Sequence, residues 1–357
     1  MQYRRIEADG LATLIGSIPL ADHRQALDLI FRHTPQLPLW PQLPGRKEEK
    51  MLVQFLEGFP GAVETEGKAY FQTDAASFQE ELVGFFEEYL AIVEQPQLLR
   101  QSRFRISRER GAGLHLLPVH PAAAAAVALK GQTTGPFTLL TGLTDEKQRL
   151  AYYDPTLREL VVKGTAMKAA WQVDFLRTAG KPVILFIDEP ALAGLGSSSF
   201  ISISREDIAA DLTEVITAIH EAGGMAGVHV CANTDWNLLL GLDLDIINFD
   251  AYSYFDRFVT SREAITAYLR RGGIIAWGGV PTSDPDFIAR ETCRSLVELW
   301  QRQMRELAGD ATDYPALLRQ TLITPSCGTG SLSLADAEKV IQLSGQVSAE
   351  LRRLYLA

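Results

Sequence analysis

The chain has 357 residues, a net charge of −10, and 46% hydrophobic against 22% charged residues. That is enough apolar chain for one large core, and the acidic balance argues against a nucleic-acid partner, whose binding needs clustered Lys and Arg to neutralise phosphates. Three cysteines, Cys231, Cys293 and Cys327, are too few and too scattered for a disulfide framework. With no apolar run of membrane-spanning length and no signal-like segment in M-Q-Y-R-R-I-E-A-D-G, the expectation is a cytoplasmic protein with no membrane partner.

In chain order, Ala12–Ile15 is a short apolar strand ending at Gly16-Ser17, and residues 40–100 form helical insertions. One or two strands are expected between 102 and 119, the alanine run 122–126 is helical, and Phe137–Leu140 is a further strand. A repeating pattern then sets in, each β-branched run followed by a helical stretch. Val183–Ile187 runs into Asp188-Glu189-Pro190. A helix from Arg205 to Ala222 stops at Gly223-Gly224, and Met225–Val230 ends at His229-Val230-Cys231. A short helix at Trp236–Leu240 precedes the strand Asp245–Asp250. Helix Arg262–Arg271 feeds Ile274–Trp277, and helix Asp284–Ala308 leads to Leu322–Thr324, just before Cys327. Helix Ser333–Leu354 finishes the chain, and Cys293 is read as a packing thiol within a helix.

Alternating strands and helices imply parallel pairing through right-handed crossovers. The fold expected is a single (β/α)8 TIM barrel spanning 1–357, with an open doubly wound sheet as the alternative. Every distinctive polar residue falls at the carboxyl end of a strand: Ser17, Asp188, His229, Cys231, Asp250 and Cys327. In a barrel those ends meet at one mouth.

In H-x-C at 229–231 the two side chains point the same way from an extended segment, so imidazole and thiolate can bind one ion. Cys327, in P-S-C-G-T-G, is the third candidate ligand. The N/S donor set suits Zn²⁺, and Asp250 is the natural displaceable fourth ligand. The competing reading makes His229 and Cys231 core residues and Cys327 an unrelated loop thiol. Asp188 at the mouth can receive an ammonium group, or simply cap a turn, and Ser17 can bind a carboxylate or close an ST-turn.

I-G-S-I-P (15–19), I-D-E-P-A-L (187–192), H-V-C (229–231) and P-S-C-G (325–328) together resemble the catalytic barrel of cobalamin-independent methionine synthase. H-V-C-A-N-T (229–234), N-F-D (248–250) and T-G-P-F-T-L (134–139) are also similar to corrinoid-dependent methyltransferases of the uroporphyrinogen decarboxylase superfamily. The resemblance implies a zinc-dependent methyltransferase acting on homocysteine. His229, Cys231 and Cys327 match metal ligands, and Asp250 falls where the family has a glutamate ligand. Ser17 and Asp188 match positions that bind the carboxylate and amino groups. The family's second amino-group contact falls near Arg46 in G-R-K-E-E-K (45–50), which leaves Glu48 or Glu49 as its substitute.

Departures from the family narrow the donor. The chain has about half the length of the complete enzyme, no tryptophan follows T-G-P, and no histidine occurs after His229 to act as an acid toward folate. A folate nitrogen must be protonated to leave, whereas Co(I) leaves a methylcorrinoid unaided. A methylcorrinoid carried on a separate corrinoid protein is therefore the expected donor, with Gly278-Gly279 and Gly328 giving it room and Trp277 lining that face or plugging the barrel. Alternatives are a coenzyme M-type thiol acceptor and a non-enzymatic zinc- or corrinoid-binding accessory protein. Uroporphyrinogen decarboxylation is disfavoured, because residues 15–35 lack its arginine-rich loop.

Overall fold

The computed structural model describes residues 5–66, 68–195, 200, 202–309 and 312–356. A small hairpin pairs β1 (Ala62–Thr65) with β2 (Lys68–Phe71) in antiparallel fashion. The main sheet has six parallel strands in sequential order: β3 (Leu129–Thr134), β4 (Val183–Asp188), β5 (Met225–Val230), β6 (Ile246–Phe249), β7 (Ile274–Val280) and β8 (Thr321–Pro325). Helices on the outer side connect them, and the helix pair Pro155–Leu176 and Arg205–Glu221 packs there.

This corrects the expected closed eight-stranded barrel. Among the described residues the parallel ladders stop at β3 and β8. The segments lying along those two edges make only single bridges, Leu39 to Lys130 and Ala12 to Ile323. The chain beside β3 reads Gln36-Leu37-Pro38-Leu39-Trp40-Pro41, and the two prolines remove the N–H donors that a ladder needs.

Two further expectations change. Residues 102–125 contain no strand; they hold turns, the helix Ala112–Leu116 and two 3-10 turns, punctuated by Pro118 and Pro121. Phe137–Leu140 belongs to the helix Pro136–Gly142, and the strand precedes it. Pro136 occupies the first helical position, where its missing N–H costs nothing. The long helix expected over 284–308 splits into Pro285–Arg290 and Cys293–Ala308.

The strand faces alternate. Val183, Leu185, Ile187, Val228, Phe249 and Trp277 pack outward under the helices. Ile184, Phe186, Met225, Ile246, Ala276 and Leu322 form a separate inner core with Leu11 and Ile15. Continued by two residues at a time, the inner face delivers Asp188 from β4, His229 from β5, and Asn248 and then Asp250 from β6. Trp277 thus lines neither a mouth nor the interior; it points outward and its indole N–H donates to Gln303 Oε1. No helix among the described residues is long and apolar enough to cross a membrane.

Candidate metal centre

Register brings the polar residues together. Asp188 lies opposite His229 across β4 and β5, and His229 lies opposite Asn248 across β5 and β6. Cys231 follows β5 by one residue and Cys327 follows β8 by two. One donor atom from each of His229, Cys231 and Cys327 lies within 4.8 Å of the others, a geometry that could hold a metal ion. The set is one imidazole nitrogen and two sulfurs, which favours a soft or borderline cation over Mg²⁺ or Ca²⁺.

The two cysteines share a proton. A hydrogen bond from Cys327, then one involving His229, holds the Cys231 thiol well below the usual range, while the same contact with Cys231, together with burial, pushes Cys327 up. His229 is fully buried, which opposes its charge. Contacts with Cys231 and Asp188 outweigh that burial and raise its pKa.

The Cys327 loop is fixed by its neighbours. Ser326 Oγ accepts from the Thr282 amide at 3.1 Å, and Thr329 donates its N–H to the Ser17 carbonyl at 2.9 Å. Ser17 Oγ accepts from Gly330 N–H at 3.3 Å, and a Cβ on Gly328 would come within 2.1 Å of that hydroxyl. Ser17 therefore sits directly against the residue after Cys327. The glycines expected to make room for a macrocycle have protein neighbours instead. A Cβ on Gly278 would meet the Phe249 carbonyl at 2.2 Å, and one on Gly279 the Trp277 ring at 2.1 Å.

Asp188 is buried, and its Oδ1 has no hydrogen-bond partner among the described residues. Burial raises its pKa, opposed by the nearby charges of His229 and Lys130. A buried carboxylate oxygen without a donor is costly unless a ligand supplies one. Asp250 is not one of the three donors; burial, and in smaller part the charge of Cys231, raise its pKa. Its Oδ1 caps the helix Ala251–Phe258 by accepting from Ser253 N–H at 2.8 Å.

Glu48 and Glu49 are not among the three donors. Glu48 lines a cleft with Val53, Glu64, Glu109 and Arg110, and pairs with Lys47 at 3.8 Å. Glu49 is consumed inside its loop, accepting from Leu43 N–H at 2.8 Å and meeting His23 Nε2 at 2.7 Å and Arg46 Nε at 3.1 Å. Cys293 opens its helix, half-buried against the core, as a packing thiol would.

The sequence reading passed over several residues. Glu189 faces the opposite way from Asp188 and accepts from Phe137 N–H at 2.9 Å, Thr138 N–H at 2.7 Å and Thr138 Oγ1 at 2.6 Å. It caps the helix Pro136–Gly142, and a Cβ on Gly135 would strike its carboxylate at 2.2 Å. That contact explains why a D-E-P sequence occurs together with T-G-P. Lys130, fully buried on β3, places Nζ 4.2 Å from the Phe186 ring centroid, and burial holds its pKa down to about 8. Asn248 meets His229 Nδ1, and only strand register, not residue type, signals this in the sequence.

No known family matches the sequence, and no curated protein does. Solved structures do. A Listeria monocytogenes protein provisionally described as a vitamin-B12-independent methionine synthase superposes with TM-score 0.55 at 13% identity, covering 98% of each chain. A pneumococcal protein, the virulence factor StrH studied for N-glycan recognition and hydrolysis, superposes at TM-score 0.50 and 10% identity over 96% of this chain and 83% of that one. What these likenesses show is a shared fold.

Proposed function

We propose that this protein is a zinc-dependent methyltransferase that moves a methyl group from a methylated corrinoid to the sulfur of homocysteine, giving methionine. The observation that carries the reading is the His229, Cys231 and Cys327 donor set next to a buried carboxylate oxygen of Asp188 that lacks a partner. The three donors fit zinc in number and type for a catalytic site, which keeps a fourth position for substrate. When bound there, zinc would hold a thiol as its thiolate at neutral pH.

The remaining work belongs to the chain. Asp188 receives the substrate ammonium, which gives its Oδ1 the donor it lacks and selects an amino-acid thiol over an acceptor without an amine. Ser17, held against Gly328, meets the substrate carboxylate, so the amino acid is fixed at both ends. The substrate sulfur is then directed at the carboxyl ends of β5 and β8, from which a donor approaches. Methyl leaves carbon–cobalt for carbon–sulfur, and the electron pair of the broken bond stays on the corrinoid as Co(I).

Incubation of the zinc-loaded protein with methylcobalamin and homocysteine should yield methionine, while methyltetrahydrofolate should yield none. Folate-dependent turnover, or equal turnover of a thiol lacking the amino group, would sink the reading.

A further inference from the structure

Asn248 is fully buried on the inner face of β6, where a side chain of its size would ordinarily be apolar. Both amide hydrogens are donated and the oxygen has a partner, and those partners fix which way round the amide sits. Nδ2 lies 2.7 Å from the Ala276 carbonyl, which can only accept, and 2.8 Å from Thr324 Oγ1. A flipped amide would set two acceptors against each other at Ala276. Oδ1 must therefore face His229 Nδ1, and that nitrogen must carry the proton. Once the ring is neutral, as it must be to ligate a metal, it has one donor and one acceptor nitrogen, so Nε2 is the one that holds the lone pair.

We infer that Asn248 is a positioning residue: it locks His229 as the Nδ1–H tautomer, with Nε2 presented toward Cys231 and Cys327. This inference rests on the metal reading given above. The amide also ties together the strands that carry the donors. His229 lies on β5, Ala276 on β7 and Thr324 on β8, three residues before Cys327, and Asn248 bridges all three from β6. A change at Asn248 thus alters both the ring orientation and the spacing between the ends of β5 and β8. Hydrogen-bond partners of metal-bound histidines typically contribute 10–100-fold in metal affinity.

The test uses the full-length chain, with zinc affinity measured by competition with a chromophoric chelator and folding checked by thermal unfolding of the metal-free protein. Asn248→Leu should bind zinc about 10–100-fold more weakly, whereas Asn248→Asp, which keeps an acceptor for Nδ1–H but sets its second oxygen against the Ala276 carbonyl, should fall between that variant and the parent. Should Asn248→Leu fail to fold, Thr324→Val removes only one support of the amide and should weaken zinc severalfold. Independently, nitrogen NMR of the histidine rings in the metal-free protein at alkaline pH, assigned with His229→Gln, should show His229 protonated at Nδ1. A folded Asn248→Leu that holds zinc as tightly as the parent, or a metal-free His229 protonated at Nε2, overturns the inference. A parent that binds no zinc counts against the proposed function instead, and the tautomer still decides the role of Asn248.

Discussion

Lys168 offers a test of the electrostatics that is separate from the metal. It lies on the helix Pro155–Leu176, 1% exposed, with no hydrogen-bond partner among the described residues and the Phe59 ring centroid 5.8 Å from Nζ. Burial holds its pKa down from 10.5 to about 7; Glu57 pushes it up and Arg110 pushes it down. A base with a depressed folded pKa binds fewer protons folded than unfolded, so stability rises with pH between about 7 and 10.5. At about 1.36 kcal/mol per pH unit, keeping this amine costs about 4 kcal/mol at pH 7. Lys168→Met preserves length and volume, and repacking typically costs under about 1.5 kcal/mol. A net gain of about 2–4 kcal/mol at pH 7 follows. Urea unfolding of parent and variant at equal metal loading should show that gain at pH 7 and a smaller one near pH 10. Glu189 carries the opposite sign, since burial pushes its carboxyl up to about 7 and stability falls as pH rises from 4.5 to about 7. Parent and variant both carry Glu189, so its contribution cancels in the Lys168 comparison. A variant no more stable than the parent at pH 7, or a gain unchanged at pH 10, would refute the reasoning.

Zinc affinity should increase with pH by about tenfold per unit for each proton displaced, because Cys327 keeps its proton in the metal-free pair. A flat profile in chelator competition between about pH 6 and 8 counts against that sharing. Glu189→Gln keeps one acceptor and turns an N–H toward the amide of either Phe137 or Thr138, and should cost about 1–3 kcal/mol in urea unfolding with little effect on zinc content. Asp188→Asn should raise KM for homocysteine while zinc stoichiometry stays at the parent level; unchanged KM removes Asp188 from the substrate site. Gly328→Ala drives a methyl into Ser17 Oγ and should weaken both zinc and substrate binding, which calorimetry of each would show.

Most of the helical half was legible because its strands are apolar on both faces, as a covered parallel sheet requires. Met225–Val230 was read with the boundaries found in the structure. β3 was missed for a physical reason: its inner face carries Lys130, Gln132 and Thr134, which break the apolar run, so the neighbouring Phe137–Leu140 took its place. The closed barrel failed where Pro38 and Pro41 leave a single bridge at one edge. At the site, His229, Cys231 and Cys327 were found together because strand ends converge. Asp250 and Glu48 carry the right chemistry; in the structure the first also caps a helix and the second lines a cleft. Residue type cannot reveal such commitments. Nor can it reveal Asn248, whose role depends on lying opposite His229 in register.

The central claim is that His229, Cys231 and Cys327 hold one zinc that takes the substrate sulfur as a further ligand. Zinc-edge X-ray absorption on the purified protein, before and after homocysteine, tests it most directly. The prediction is two sulfur neighbours at about 2.3 Å without substrate and three with it, and loss of the metal in Cys327→Ser. A protein that retains no zinc, or whose zinc gains no sulfur when homocysteine is added, would contradict it.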